Sequence, residues 1–265
     1  MAKSKEKSVT KEETAQPERP PTSILGILRE WADALVIAFL LAMFIRTFVV
    51  ELFKIPSGSM TPTLIGTSST EKVIEWDVNG DGEKDLILDR WRSAGRTRYH
   101  VFYRRDGQFV RPNEERNDID LPVEAQMDGR MRNDRIIVNK FIYWLHPPDR
   151  GDIVVFRVPP DEYERSKPIF IKRMAGLPGE HLEIHPPDLF VDGEQVTTPS
   201  IFQQIEYTRE GRIHEIDIPQ GEYFLMGDNS KNSRDSRYWG TVEEANLRGL
   251  AFFRYFPLNK MGFLE

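Results

Sequence analysis

Three stretches of this chain combine residue types and spacings that can do chemistry. Ile55-Pro56-Ser57-Gly58-Ser59-Met60-Thr61-Pro62-Thr63-Leu64 carries two serines two apart, with prolines and a glycine limiting the backbone around them. Read as extended chain, it puts both side chains on one side; read blandly, it is a loop. A serine hydroxyl attacks a carbonyl only when a neighbouring base takes its proton. Further on, Phe170–Glu180 (FIKRMAGLPGE) sets Lys172 inside an apolar strand, where alternation gives it the face of Phe170 and Met174. There the lysine is either at the solvent side of a sheet or desolvated. Desolvation lowers its pKa from about 10.4 toward neutrality and makes the amine a usable base. The third stretch, Gly227–Gly240 (GDNSKNSRDSRYWG), reads alone as a polar loop with an exposed Asp235–Arg237 pair.

Other chemistries find less support. The chain has no cysteine, so thiol nucleophiles, disulfides and cysteine–zinc sites are excluded. Its five histidines include no HExxH arrangement. His181 and His185 would be about 13 Å apart on a strand, too far to share a metal. No acidic pair stands out among the 42 carboxylates. A net charge of −6 and a pI near 5.6 argue against a dedicated nucleic-acid binder.

The elements that must position these residues begin with an apolar segment. Residues 1–23 mix lysines, glutamates and prolines and are expected to form a disordered cytoplasmic arm. Residues 24–50 are expected to be a transmembrane anchor: among the 20 residues from Trp31 to Val50 only Asp33, Arg46 and Thr47 are not apolar. A buried soluble helix and a cleaved export signal compete, but no small-x-small cleavage site follows Arg46. Lys11, Arg19 and Arg29 precede the segment closely and Lys54 alone follows, which favours a cytoplasmic N-terminus and an extracytoplasmic body. That body reads as mainly β. Arg135–Asn139, Asp152–Val158, Ile169–Arg173 and Tyr223–Met226 are short runs rich in branched and aromatic residues, and Asp192-Gly193 after Leu189–Val191 signals a hairpin. Only Val242–Leu247 looks helical. Helical crossovers are missing, so antiparallel sheets are expected.

Taken in order behind one anchor, the three blocks resemble the bacterial type I signal peptidases, membrane-bound proteases of the serine–lysine dyad class. Asn139-Lys140-Phe141, Arg150–Phe156 (RGDIVVF) and Glu244–Gly249 (EANLRG) extend the resemblance. It implies that Ser59 is the nucleophile and Lys172 the general base, acting through an acyl-enzyme. It further implies that the Ser57 hydroxyl and Ser59 N–H serve the oxyanion hole and that Ser233 hydrogen-bonds and orients the Lys172 amine. Asp235 and Arg237 would form a supporting ion pair, with Arg173 structural. The implied substrates are exported preproteins carrying signal peptides, the implied place is the cell membrane, single-pass, and no cofactor is implied. A self-cleaving serine–lysine repressor-type protease and a non-catalytic membrane-tethered binding module remain as rivals.

The sequence departs from the family between the serine block and Asn133. The peptidase domain is expected over 51–66 and 133–265, with 67–132 inserted as β-hairpins. The insert is rich in arginine and aromatics (Arg90, Trp91, Arg92, Tyr99, Phe102, Tyr103), a pattern of nucleic-acid binders that the acidic balance argues against. Asp77, Asn79, Asp81 and Asp85 have calcium-loop spacing, but Leu88 stands where an EF-hand has glutamate. The loop is either a structural calcium site or a plain Asn-Gly/Asp-Gly turn.

Overall fold

A computed structural model describes residues 24–67, 72–93, 96–116, 119, 121–159 and 168–264. The expected N-terminal arm lies outside the described residues. The chain divides into two units, 1–45 and 46–265. In the first, α1 (Ile24–Phe44) is built from strong helix formers and is exposed on all sides. With the π-helical turn Ile45–Val49 it makes an apolar span, Gly26–Val49, of which nothing is buried. At 1.5 Å per residue that exceeds the roughly 30 Å of a bilayer's hydrocarbon core. Its bare surface is not that of a soluble core helix. Val50, expected in the anchor, instead opens the first strand.

The second unit contains β1 (Val50–Lys54), β2 (Lys72–Trp76), β3 (Asp85–Ser93), β4 (Arg96–Arg105) and β5 (Gln108–Arg116). A short α2 (Val123–Asp128) leads to β6 (Arg135–Asn139), β7 (Ile153–Arg157) and β8 (Ile169–Gly176). Then come β9 (His181–His185), β10 (Asp188–Val191), β11 (Glu194–Gln195), β12 (Glu215–Asp217) and β13 (Glu222–Met226). A one-turn α3 (Ser236–Trp239), β14 (Val242–Glu243), β15 (Leu247–Phe256) and β16 (Gly262–Phe263) complete it. Among the described residues all strand pairings are antiparallel, as the missing crossovers implied.

The main sheet runs β1-β6-β15-β7-β8-β13-β14, with β16 also on β15. β7 is buried on both faces: Ile153 and Val155 pack with Ile55, Met60 and Leu64, while Val154 and Phe156 pack with Met174 and Leu225. This explains its unbroken IVVF run, since alternation is lost when both faces are covered. A second sheet, β11-β10-β9-β12, has its own core around Leu182, Ile184 and Phe202. The Asp192-Gly193 turn joins β10 to β11 with φ of 52° and 81°, as its hairpin signal implied.

Val242–Leu247 is not a helix. Val242 pairs with Tyr223 and Leu247 with Phe156, leaving only a 3-10 turn over Glu244–Asn246. Tertiary pairing overrides the helical propensity of Glu-Ala-Asn.

A third sheet, β2-β3-β4-β5, falls within residues 67–132. A Gly66–Asn133 bridge closes its neck. The insert does not stand apart: its Leu86, Leu88 and Phe102 pack with Ile65 of the serine block.

Candidate functional site

The serine block is not the extended strand that its alternation assumed. Ser57 is extended (φ −141°, ψ 159°), but Gly58–Met60 form a 3-10 turn with Ser59 and Met60 buried. Burial of Ile55, Met60 and Leu64 in the main core fixes the turn on both sides. Backbone bonds do the rest: Ile55 N–H donates to Asp134 O, the buried Asp134 carboxylate accepts from Ile65 N–H, and Asn133 Nδ2 donates to Ile55 O. Gly66 backs the same segment, because a Cβ there would fall 2.5 Å from Ser57 N.

Opposite the turn, β8 presents Lys172. Its side chain is 3% exposed, and its Nζ lies 2.6 Å from Ser59 Oγ and 3.0 Å from Ile171 O. The Phe170 ring centroid is 5.5 Å away, so of the two sequence readings the desolvated one holds. Burial pushes the amine from its ordinary 10.5 down to about 8; Asp235 and Asp228 pull it back up, and Arg237 adds to the fall.

Two buried ion pairs supply those charges. Arg173 meets Asp228 through two parallel bonds, Nε–Oδ1 at 2.9 Å and Nη2–Oδ2 at 2.8 Å, and donates to Gly151 O. Arg237 likewise forks onto Asp235 at 2.8 and 2.9 Å. The latter pair, read as exposed from the loop's polarity alone, is fully buried. Arg237 also donates to the Ser230 and Ser233 carbonyls, and Asp235 accepts from Gly227 N–H, so this pair shapes the loop that carries Ser233.

Ser233 differs from its expected role. It makes no bond to Lys172; its Oγ is buried with no partner among the described residues. The hydroxyl faces Gly227, where a Cβ would lie 2.2 Å from Ser233 Oγ and 2.5 Å from Ser59 O. Only a glycine allows that approach.

Sequence reasoning missed Asn229. Its side-chain amide donates to Gly58 O at 3.1 Å, and its backbone N–H donates to Ser59 O at 3.0 Å. One residue thus holds two successive carbonyls of the nucleophile's turn. Asp228 was missed as well; the signal was its place between Gly227 and Asn229 in a motif already marked. Leu88 gave no signal: its Cδ1 would sit 3.7 Å from a Cβ on Gly58, which brings the insert against the turn.

The four candidate calcium ligands do not converge. Asp77 accepts from Gly80 and Gly82 N–H, and Asn79 and Asp81 cap neighbouring amides. Asp85 turns inward, fully buried, to accept from Val78 and Arg104 N–H. Burial raises its pKa, and the neighbouring carboxylates of Asp81 and Asp77 push it the same way. Among the described residues no group of three or more His, Asp or Glu is placed to hold a metal. The bonds made by Asp77, Asn79 and Asp81 are those of an Asx-type turn.

Pro56–Ser59, Ile169–Lys172, Asn232 and Arg234 enclose a cavity of about 490 Å³. A serine alcohol beside a dry amine, opening on such a cavity in an antiparallel β frame, is the equipment of a serine hydrolase with lysine in the place of histidine. Comparison with known proteins carries this further. The family model described as signal peptidase, peptidase S26, matches residues 28–82 and 117–256, and the chain belongs to that family.

Relatives agree. Signal peptidase I of Leptolyngbya laminosa is 34% identical over 146 residues, covering 54% of this chain and 70% of that protein. Signal peptidase I T of Bacillus subtilis is 26% identical over 260 residues, covering 96% and 98%. Signal peptidase I of Pseudomonas fluorescens is 29% identical over 261 residues, covering 85% and 72%. The family match breaks over 83–116, the span of β3, β4 and β5, which is narrower than the 67–132 that motif spacing marked. Family membership in a peptidase removes the non-catalytic module as a rival.

Proposed function

We propose that this signal peptidase removes signal peptides from exported preproteins, with Ser59 as nucleophile and Lys172 as general base. The observation that carries the reading is the 2.6 Å approach of Lys172 Nζ to Ser59 Oγ in a buried setting. With the amine neutral, Ser59 Oγ–H donates to Nζ and loses its proton as Oγ attacks the scissile carbonyl. The oxyanion takes bonds from Ser59 N–H and Ser57 Oγ–H. The Lys172 ammonium then gives its proton to the departing amine, leaving an acyl-enzyme. Water, deprotonated by the same amine, attacks the acyl carbon; the acyl–Oγ bond breaks and Lys172 returns the proton to Ser59 Oγ. Every proton transfer runs through Lys172, so the scheme needs no cofactor. Ser233, a buried hydroxyl without a hydrogen-bond partner among the described residues, would turn to orient the amine.

Strand pairing supports an extended substrate. Residues 169–172 of β8 pair with β7, while β13 meets β8 only from Arg173 onward. The remaining edge borders the 490 Å³ cavity, where a peptide can add as a strand and place small side chains in shallow hollows. The apolar span Gly26–Val49 would anchor the chain in the cell membrane, with the N-terminus cytoplasmic and the β body outside, as the flanking lysines and arginines favour.

The test is cleavage of a model preprotein by the full chain in detergent. Wild type is expected to cut it, and Ser59→Ala and Lys172→Ala to be folded and inactive. Normal cutting by Ser59→Ala overturns the assignment.

A further inference from the structure

A second concavity lies at the ends of β6, β7 and β15. Lys140 directly follows β6, Arg157 ends β7, and Arg248 is the second residue of β15. All three line one cavity of about 270 Å³. The backbone draws them together at Gly249 (φ 150°), where a Cβ would fall 2.2 Å from Asn139 O and 3.0 Å from Lys140 Cα. Each cation is half-buried. Lys140 Nζ donates to Thr47 O at 2.8 Å and stands 4.0 Å from Glu51. Arg157 and Arg248 have no side-chain hydrogen bond or ion pair among the described residues. Two half-buried guanidiniums, each with five donors and no acceptor, leave donors at this cavity for an anion to take.

Position indicates which anion. Thr47, whose carbonyl Lys140 holds, belongs to the last turn of the apolar span. An adjoining cavity of about 510 Å³ shares Lys140 and Arg248 and adds Tyr143, Trp144 and Glu244. Trp144 is 80% exposed and Leu145 60%, and the amphipathic ring of a tryptophan is of the kind that settles among lipid headgroups. Among the described residues, Glu244 is the one acid lining the two cavities.

We propose that Lys140, Arg157 and Arg248 bind the phosphodiester of an anionic phospholipid headgroup. The planar forks of the two arginines suit a tetrahedral phosphate, and Lys140 supplies a third donor beside the chain's exit from the bilayer. This rests on the membrane-anchored reading above.

The experiment uses the purified full chain in detergent, with bound lipid read by native mass spectrometry. Phosphatidylglycerol is expected to be retained in preference to phosphatidylcholine. The Arg157→Gln/Arg248→Gln variant is expected to lose about 30-fold in that affinity, roughly fivefold per charge. Arg157→Lys/Arg248→Lys, which keeps charge without the forks, should fall between. Unchanged peptide cleavage by both variants reports that they are folded. Equal retention by the glutamine variant, no preference for the anionic lipid, or complete displacement by equimolar inorganic phosphate overturns the headgroup site. Alkaline extraction of membranes separates the two readings. A chain released to the aqueous fraction overturns the anchor, whereas a chain that stays with the membrane but lacks lipid selectivity overturns the headgroup site alone.

Discussion

Asn229 holds the Gly58 carbonyl through its side-chain amide at 3.1 Å. That carbonyl shares a planar trans peptide with the Ser59 N–H, so fixing one end aims the other in the opposite direction, away from Asn229. The donor proposed for the oxyanion is therefore set by a residue 171 positions along the chain.

Asn229→Asp puts an acceptor against an acceptor and should tilt this peptide. Loss of one oxyanion donor typically costs 10²–10³ in rate. We expect kcat for a model preprotein to fall by about that factor with KM little changed. Affinity for a peptide aldehyde, which forms a tetrahedral adduct, should fall in parallel with kcat. A variant that weakens substrate binding and leaves kcat intact would contradict this.

Cleavage should rise with pH through about 8 as the Lys172 amine loses its proton. Lys172→Arg should be inactive throughout, because guanidinium stays charged. Stability carries the same signature. Between about 8 and the ordinary 10.5 the unfolded chain binds more protons at this lysine than the folded chain, so its contribution to unfolding free energy rises with pH there. Below that window the buried charge costs on the order of 3 kcal/mol. Urea unfolding of wild type against Lys172→Met at pH 7 and pH 10 checks it: the variant should be the more stable at pH 7, with the gap narrowing at pH 10.

Asp228→Asn leaves the buried Arg173 guanidinium uncompensated, and about 3–5 kcal/mol of stability should be lost. Asp228 also holds the Lys172 pKa up, so whatever folded enzyme remains should show its activity midpoint at lower pH than wild type. Pairing the change with Arg173→Met should restore much of the stability. The pH–rate profile of the double variant then reads the charge effect on Lys172 separately from folding.

Gly227→Ala introduces a Cβ within 2.5 Å of Ser59 O and closer still to Ser233 Oγ. Overpacking of this kind costs about 1–3 kcal/mol, and here it must displace the nucleophile's turn. Cleavage should drop at least tenfold while the far-UV spectrum of the sheets persists.

Leu88→Ala, in the inserted sheet, should cost about 2–5 kcal/mol by the cavity it leaves. Because Leu88 abuts the Gly58 position, it should also lower kcat, which a change elsewhere in the insert, such as Asp81→Asn at the exposed turn, should leave alone. Steady-state kinetics of the two variants decide the matter.

What the sequence disclosed and what it hid divide along local and long-range lines. Lys172 was legible because a lysine among Ile, Phe and Met on a strand leaves only two environments, and burial chose between them. The Asp192-Gly193 turn was legible because only a few residues accept positive φ. The serine block was misjudged as extended because Pro56 and Gly58 permit both shapes, and what selects the turn is the docking of Met60 and Leu64 into a core made by β6 and β7. Asn229 was hidden for the same reason: its partners are backbone atoms far away in sequence, and backbone atoms carry no sequence signal. The Asp77–Asp85 spacing left two readings open for a related reason, since a spacing that suits an ion also suits the amides of its own turn.

Lys172 and Arg173 are neighbours on β8, and side chains of consecutive strand residues point to opposite faces. One strand therefore serves an amine of lowered pKa to the alcohol and a permanent cation to Asp228. The arrangement tolerates no slippage. Sliding β8 by one place along Val154 and Ile153 would offer guanidinium to Ser59 and strand the amine beside a carboxylate, extinguishing the base and the brace together. Gaining or losing a single residue inside β7 or β8 should thus be as lethal to catalysis as deleting the lysine itself.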